Sequence, residues 1–506
     1  MRTVRILTIG IALLFVQACS HPIEIVGEGD VMSSTGDRTC LLENFLAGDD
    51  VCSKNYVTGF DLDQLPALVP EDYAETYNPV PRTGWKFNHW GYPYCPDATH
   101  SNYECSFNVP AATVQQLWGK TMPPLKAVFT PADCDSGCLR EFAEGGGVKL
   151  GFGINEADLS DPVIAKALEV DANLITPSNA MKFGVIHPQR DIYDFSSADR
   201  IVAHAQSNRQ TVYGHVLIWH LQMPGWLDPG SPWVDNTDAW RAAWTREELI
   251  EVMRDHIHTV MRHCRDNFPG VVQQWEVVNE AFNADGSRRR TIWQQVIGDD
   301  YIELAFRFAR EADPNAKLYL NDFYDSSTMF GEFILGRDPT YDESVGASSL
   351  RTNCDDVAKC VAIRALAQDF VQRGVPIDGI GFMAHHFGWS KKWPYPPDYI
   401  QLTEWTKDLN LSWALTEVDV ALRNDIGDNR TTSEEDQAKR FELMVKACLD
   451  SGNCNTVVFW GATDATNWLR DARGFYGATL RADDGSPKPA YWKVWELLYN
   501  YLHRKA

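Results

Sequence analysis

From Val148 to the C-terminus, short apolar runs alternate with longer stretches whose apolar residues recur at helical spacing. The runs predict strands at 148–153, 173–176, 211–218, 274–279, 317–321, 378–384, 413–418 and 456–461. The periodic stretches between them predict helices, among them 198–207, 246–264, 301–312, 358–373 and 434–449. Such alternation is the mark of βα units around a parallel sheet. Eight strands with their connections fit an α/β fold of the (β/α)8 barrel type over residues 148–506. An open doubly wound sheet is the alternative, but no Gly-rich nucleotide fingerprint follows the first strand.

Upstream the pattern is different. Residues 1–19 read as a basic head, an apolar run from Ile6 to Val16, and Gln17-Ala18-Cys19. That is an export signal, and the run is too short to span a bilayer, which takes about twenty residues. Val16-Gln17-Ala18-Cys19 resembles a bacterial lipobox, so Cys19 is the expected lipidation site. The chain is then expected at the cell surface or outer membrane through that anchor, with plain secretion as the alternative. Residues 21–143 are rich in Pro, Asn and Cys with little helical periodicity, and predict a small β-rich, disulfide-containing module with a linker. Gly84–Gly91, Cys95, Cys105 and Leu125–Thr130 resemble a bacterial repeat module with a Trp-Gly turn and a closing strand. Its role is read as a spacer. Glu144-Gly145-Gly146-Gly147 reads as the boundary before the barrel, not as a phosphate loop, since no Gly-Lys-Ser/Thr follows.

Cysteine usage agrees with export. After Cys19, ten of the remaining eleven fall into sequence neighbours, 40/52, 95/105, 134/138, 354/360 and 448/454. In an exported chain these read as local staples, and Cys264 as a buried thiol. Charge narrows the partners further: 46 Lys and Arg against 69 Asp and Glu give a formal net charge of -23. A chain this acidic is expected to bind no nucleic acid. Eighteen Trp point instead toward flat apolar faces such as those of sugars. His256-x-His258 and His263 read as a solvated helix face.

In a barrel of this kind, chemistry sits at the C-terminal ends of the strands. Here those ends read Ser178-Asn179-Ala-Met-Lys182, His215-Val-Leu-Ile-Trp219-His220, Asn279-Glu280, Asn321-Asp322, His385-His386, Glu417-Val-Asp419 and Trp460-Gly461. Glu280 and Glu417 each follow or close an apolar strand, the fourth and the seventh, and would face each other across the mouth. Paired carboxyls are the apparatus for cleaving a glycosidic bond. No ligand spacing calls for a metal, and no motif calls for a cofactor.

These motifs, with Trp275-Glu-Val-Val-Asn279-Glu280, Val458-Phe-Trp460-Gly461 and the closing Pro487-Lys-Pro-Ala-Tyr491, resemble glycoside hydrolase family 10, retaining endo-β-1,4-xylanases on a (β/α)8 barrel. The resemblance runs from about Leu150 to the C-terminus. It implies Glu280 as acid/base and Glu417 as nucleophile, acting on xylan or xylo-oligosaccharides. It also implies His385 against the nucleophile with Asp419 orienting the imidazole, and a structural role for His386. Asn179, Lys182, His215, Trp219 and Asn279 are implied as sugar contacts, and Trp460 and Trp468 as aromatic floor and lid. A monomer is expected.

The chain departs from the family pattern at Ser178 (usually Glu), Met383 (usually Gln) and Phe323 (usually Tyr), and its loop from 324 to 360 is long. Two other readings compete: a related barrel hydrolase acting on glucan, and a surface carbohydrate-binding protein without catalysis. The pair Glu280 and Glu417 argues against the second, since binding alone needs no matched acid and nucleophile. The departures should alter the preferred substrate length or decoration without abolishing hydrolysis. Digestion of linear xylo-oligosaccharides should therefore yield products, and complete inertness would contradict this.

Overall fold

The computed structural model describes residues 19–57, 72–91, 93–95, 103–117, 120–132, 134, 138–228, 236–323, 353–387, 399–423, 433–470 and 475–505. The expected export signal before Cys19 and most of the long loop after the fifth strand lie outside them. The chain forms two compact units, one up to Asp135 and one from Ser136. No helix among the described residues is long and apolar enough to cross a membrane.

The first unit is β-rich. Strand Leu125–Pro131 lies between Ile23–Val26, to which it is parallel, and Trp85–Trp90, to which it is antiparallel. A second, antiparallel sheet orders Gly29–Ser33, Tyr73–Pro81 and Cys105–Val109. Alternation places Tyr73, Tyr77 and Phe129 inward, where they are fully buried with Trp90. Disulfides Cys40–Cys52 and Cys95–Cys105 staple the unit. Cys19 is a free, buried thiol in the same apolar cluster.

The second unit is the barrel. Its strands are β1 (Lys149–Ile154), β2 (Leu174–Pro177), β3 (Thr211–Gly214), β4 (Val272–Asn279), β5 (Lys317–Asp322), β6 (Gly379–Phe382), β7 (Ser412–Arg423) and β8 (Cys454–Phe459). Each pairs in parallel with its neighbours, and β8 with β1 closes the circle. All eight expected strands are present within a few residues. Four helices matter below: α1 (Leu139–Gly146), α2 (Arg246–Asn267), α3 (Ala358–Arg373) and α4 (Pro489–Lys505). Large and small residues alternate inside the barrel. The Tyr319 ring fills the space beside Gly379, where a Cβ would lie 2.4 Å from it, and the Trp275 ring does the same beside Gly214.

Three sequence expectations need comment. Glu144–Gly147 is no linker: it ends α1, which Gly147 stops in the left-handed conformation at φ +70°. Leu139, Phe142 and Ala143 on α1 are buried, and the Phe142 ring meets Trp495 of α4 at 5.2 Å. The glycines gave α1 the composition of a spacer although its other face is core. The local cysteine pairing holds for Cys354–Cys360 and Cys448–Cys454 as well; Cys134 and Cys138 are also disulfide-bonded, and Cys264 is free and buried.

The third is a correction. His256 is not solvated: it is fully buried on α2 between Met253 and Val260, with its ring stacked on Phe183 at 3.7 Å. The His187 ring lies parallel to it and stacks on Tyr193 at 4.0 Å, and among the described residues no ring nitrogen of either histidine has a hydrogen-bond partner. A neutral imidazole is a flat apolar ring, so helical spacing alone could not reveal that His256 faces inward. His263 stacks on Phe195 and pairs with Asp199, while His258 meets Glu311 at 3.4 Å.

A buried polar knot ties the C-terminal motif to the barrel. Asp171 accepts from Arg481 Nε and from the Tyr491 hydroxyl, both at 2.8 Å. Breaking such a pair costs about 3–5 kcal/mol, because one charge is left buried and alone. This is the physical content of the closing Pro-Lys-Pro-Ala-Tyr.

Burial pushes the pKa of His256 well below its usual value and lowers that of His187. Both therefore take up protons more readily in the unfolded chain, so stability is complete above the ordinary histidine range and is lost as pH falls below about 6.5. The melting temperature should drop between pH 7 and pH 5. In His256→Phe, which keeps the stack, the drop should be smaller; an equal drop in thermal melts would count against these rings as its source.

Candidate active site

The C-terminal strand ends bring the expected residues into one mouth. Glu280 directly follows β4 and is nearly buried at 8% exposure, in a left-handed conformation at φ +53°. A non-glycine residue there costs about 1 kcal/mol or more and persists only when its surroundings fix it. Three bonds do so. The Glu280 amide donates to the Asn321 carbonyl, the Glu280 carbonyl accepts from Arg289 Nε at 2.9 Å, and the Phe282 amide donates to Asp322 at 3.1 Å.

Glu417 lies on β7, buried, and both carboxylate oxygens are engaged. Asn321 Nδ2 donates to one at 3.3 Å, and His385 Nε2 lies 3.2 Å from the other. Asp419, two residues along the same strand, shares its face. Its carboxylate meets His385 Nδ1 at 2.9 Å, so the imidazole bridges the two acids. Burial opposes a charge on His385, but Asp419 and Glu417 together outweigh it and raise its pKa to about 10. His386 faces elsewhere, onto the Tyr399 hydroxyl at 2.8 Å. Trp468 is exposed at its ring but donates from Nε1 to Asp419, and it lies 5.2 Å from His385.

The remaining expected residues converge from β2, β3 and β8. Asn179 accepts from Lys182 Nζ at 3.0 Å, and Lys182 in turn lies over the Trp219 ring at 4.9 Å. Trp460 packs edge-on to His215 at 5.2 Å. Asn321 donates to Asn279 Oδ1, which leaves Asn279 Nδ2 as a buried donor with no protein partner. His215 Nε2 and Trp219 Nε1 are in the same condition. Together at the strand ends, these three unpaired groups are available to a ligand in the mouth. Of the departures, Phe323 sets its ring 6.2 Å from His385 and Met383 is buried beside it.

Glu276 was quoted within a motif but given no role. It is fully buried on β4, four residues before Glu280, and contacts His215 Nδ1 at 3.1 Å. Burial and the charge of Glu417 push its pKa well above the usual carboxyl range, so it holds its proton at neutral pH. Its signal in the sequence was an acid inside Trp-Glu-Val-Val, where no solvent is in reach. Single atoms of His215, Glu276 and Glu417 lie within 4.8 Å of one another, close enough for a metal. A cation there would have to displace the Glu276 proton beside the Lys182 ammonium, whose charge already acts on both glutamates. His220, another residue given no role, sits with Nε2 3.9 Å from Glu280.

The two principal acids are thereby held in different conditions. Burial raises the pKa of Glu280 to about 7 against the opposing charges of Arg289 and Lys359, while Glu417 is the smallest of the five contributors. Desolvation, more than repulsion by the neighbouring acid, keeps this proton on. The raised value rests on geometry as well: the carboxyl accepts no hydrogen bond among the described residues, and its nearest cation, Arg289, stands 3.8 Å away.

A closed parallel barrel whose rim joins a proton-holding glutamate to one fixed by donors is the framework of a glycoside-cleaving hydrolase. The chain belongs to glycosyl hydrolase family 10, whose family model matches residues 138–331 and 352–497. Among its relatives is endo-1,4-beta-xylanase B of Thermotoga neapolitana, 32% identical over 374 residues, covering 72% of this chain and 93% of that protein. Beta-1,4-xylanase of Dictyoglomus thermophilum is 31% identical over 334 residues, covering 64% of this chain and 81% of its own. In three dimensions it is similar to xylanase 10B from Thermotoga maritima, with a TM-score of 0.58 at 32% identity over 72% of this chain and 99% of that one. The match is equally good to xylanase 10B from Thermotoga petrophila in complex with xylobiose, with a TM-score of 0.58 at 32% identity over 72% and 98%.

The raised Glu280 pKa should appear directly. Difference infrared spectra in the carboxyl region should show an acid titrating near pH 7, and Glu280→Gln should remove that band; a Glu280 ionised throughout at pH 5 would contradict the assignment.

Proposed function

We propose that the protein hydrolyses internal β-1,4-xylosidic linkages of xylan by retaining double displacement, with Glu280 as acid/base and Glu417 as nucleophile. The observation that carries this is the division of labour between the two acids. Glu280 keeps its proton up to about pH 7 through burial, and Glu417 is aimed by Asn321 and His385. A general acid must enter the reaction protonated. Glu280 donates to the leaving oxygen as the bond breaks, Glu417 attacks the anomeric carbon, and the sugar is held as an ester. Glu280, now a carboxylate, takes a proton from water, which attacks the same carbon and releases Glu417. Activity in kcat/KM should decline as pH rises through the Glu280 pKa.

His385 and Asp419 act by position. The shared cation between two acids holds Glu417 in one rotamer. Glu276 donates its proton to His215 Nδ1, which leaves His215 Nε2 as a donor for a sugar hydroxyl. Asn279 Nδ2 donates to the 2-hydroxyl, a bond that strengthens as positive charge develops on the ring. Asn179, Lys182 and Trp219 bind the sugar next along the chain. Trp460 and Trp468 form an aromatic floor and lid that favour xylose over glucose by leaving no room for a hydroxymethyl group. The similar proteins named above are xylanases, and this supports the same substrate class. The enzyme works as a monomer tethered through a lipid on Cys19, with residues before the barrel as spacer.

Purified protein should release oligosaccharides from xylan and little from barley glucan. Glu417→Ala should lower turnover by about 10⁴-fold or more while binding of xylo-oligosaccharides stays within a few-fold. Comparable hydrolysis of both polymers, or an active Glu417→Ala, would overturn the reading.

A further inference from the structure

Behind Glu280 lies a buried ion pair that the reaction as written does not use. Lys359, the second residue of α3, is 1% exposed, and its ammonium lies 2.5 Å from Asp322 Oδ1, with Asp322 itself fully buried. Asp322 has structural duties on both sides. One oxygen accepts from the Phe282 amide, two residues after Glu280, and the other from the Phe323 amide at 2.8 Å. The Lys359 ammonium also lies 5.3 Å from the Phe323 ring centroid. α3 begins one residue after a 3-10 turn at Cys354–Asp356, and the Cys354–Cys360 disulfide closes this junction around Lys359.

We propose that Lys359 is a positioning residue for the acid/base Glu280, acting through Asp322. The inference rests on the role given to Glu280 above. Glu280 occupies a left-handed backbone conformation, so its carboxyl is aimed only as well as the bonds around it are fixed. The Phe282–Asp322 bond is one of the three that fix it. A carboxylate in so dry a place is held in its geometry by a cation against it. Lys359 is that cation, and the disulfide beside it limits how far the start of α3 can move. The same ammonium also acts on Glu280 through space, opposing the rise that burial produces.

The inference predicts a loss specific to acid assistance. Lys359→Met should lose about tenfold in kcat on xylan, where the leaving group needs a proton. In kcat/KM for an aryl xylobioside with a dinitrophenolate leaving group, which reports the first step alone and needs no proton there, it should lose little. Its kcat/KM profile should keep activity to higher pH than the wild type, because removing the positive charge lets the Glu280 pKa rise. Lys359→Arg should restore most of the xylan rate and the original upper limb. Rates are taken per active site, counted with a fluorinated xyloside that traps Glu417, so unfolded molecules do not enter. If Lys359→Met does not fold, Lys359→Gln, which keeps a polar end at that position without a charge, is read by the same criteria. Equal losses on both substrates, or an unmoved upper limb, overturn the proposal. Glu280→Ala run alongside separates the two claims: if it too is insensitive to the leaving group, the acid role of Glu280 falls, and not the part given to Lys359.

Discussion

Buried acids crowded into one barrel mouth cannot all be charged, and the structure sorts them by partner. Glu417 and Asp419 bracket His385, and the three share one positive charge between two negative ones. Asp322 has Lys359. Glu276 is deeply buried and Glu280 has only the Arg289 guanidinium, 3.8 Å away, so burial outweighs the opposing charge and keeps their protons on. The same mouth thus holds one glutamate fixed by donors, Glu417, and one that keeps its proton, Glu280, set apart by their nearest neighbours and not by their chemistry. This distribution depends on dryness. Opening the mouth to water would bring Glu280 back toward an ordinary carboxyl and remove the distinction on which acid-assisted bond cleavage relies.

The barrel was legible because each strand is a short apolar run and each helix a periodic one, and the two periods differ. The mouth was legible because polar residues end seven apolar strands, and a barrel offers one place where strand ends meet. Residues whose role depends on a partner from elsewhere in the chain were harder to read. Lys359 opens α3 after a long loop, and only folding puts it against Asp322. Glu276 lies inside a quoted motif, yet its meaning comes from His215 on another strand. His256 was misread because spacing along a helix tells which residues share a face, and a neutral imidazole suits either face.

The tryptophan count was also a mixed guide. Trp275, Trp293, Trp413 and Trp495 are interior residues and pack the fold. The indoles that line the mouth, Trp219, Trp460 and Trp468, are marked by their place after strand ends and by partially open rings. Position, more than abundance, separated recognition from packing.

The described disulfides join cysteines only 6 to 12 residues apart. Each partner is therefore the most concentrated thiol in its neighbour's reach from the moment both have been synthesised, since short loops close with little entropic loss. Oxidation can proceed in the order of synthesis, each bridge finished before a distant competitor arrives. An oxidant that joins thiols quickly but reshuffles them slowly would still leave this chain with its bonds correctly matched.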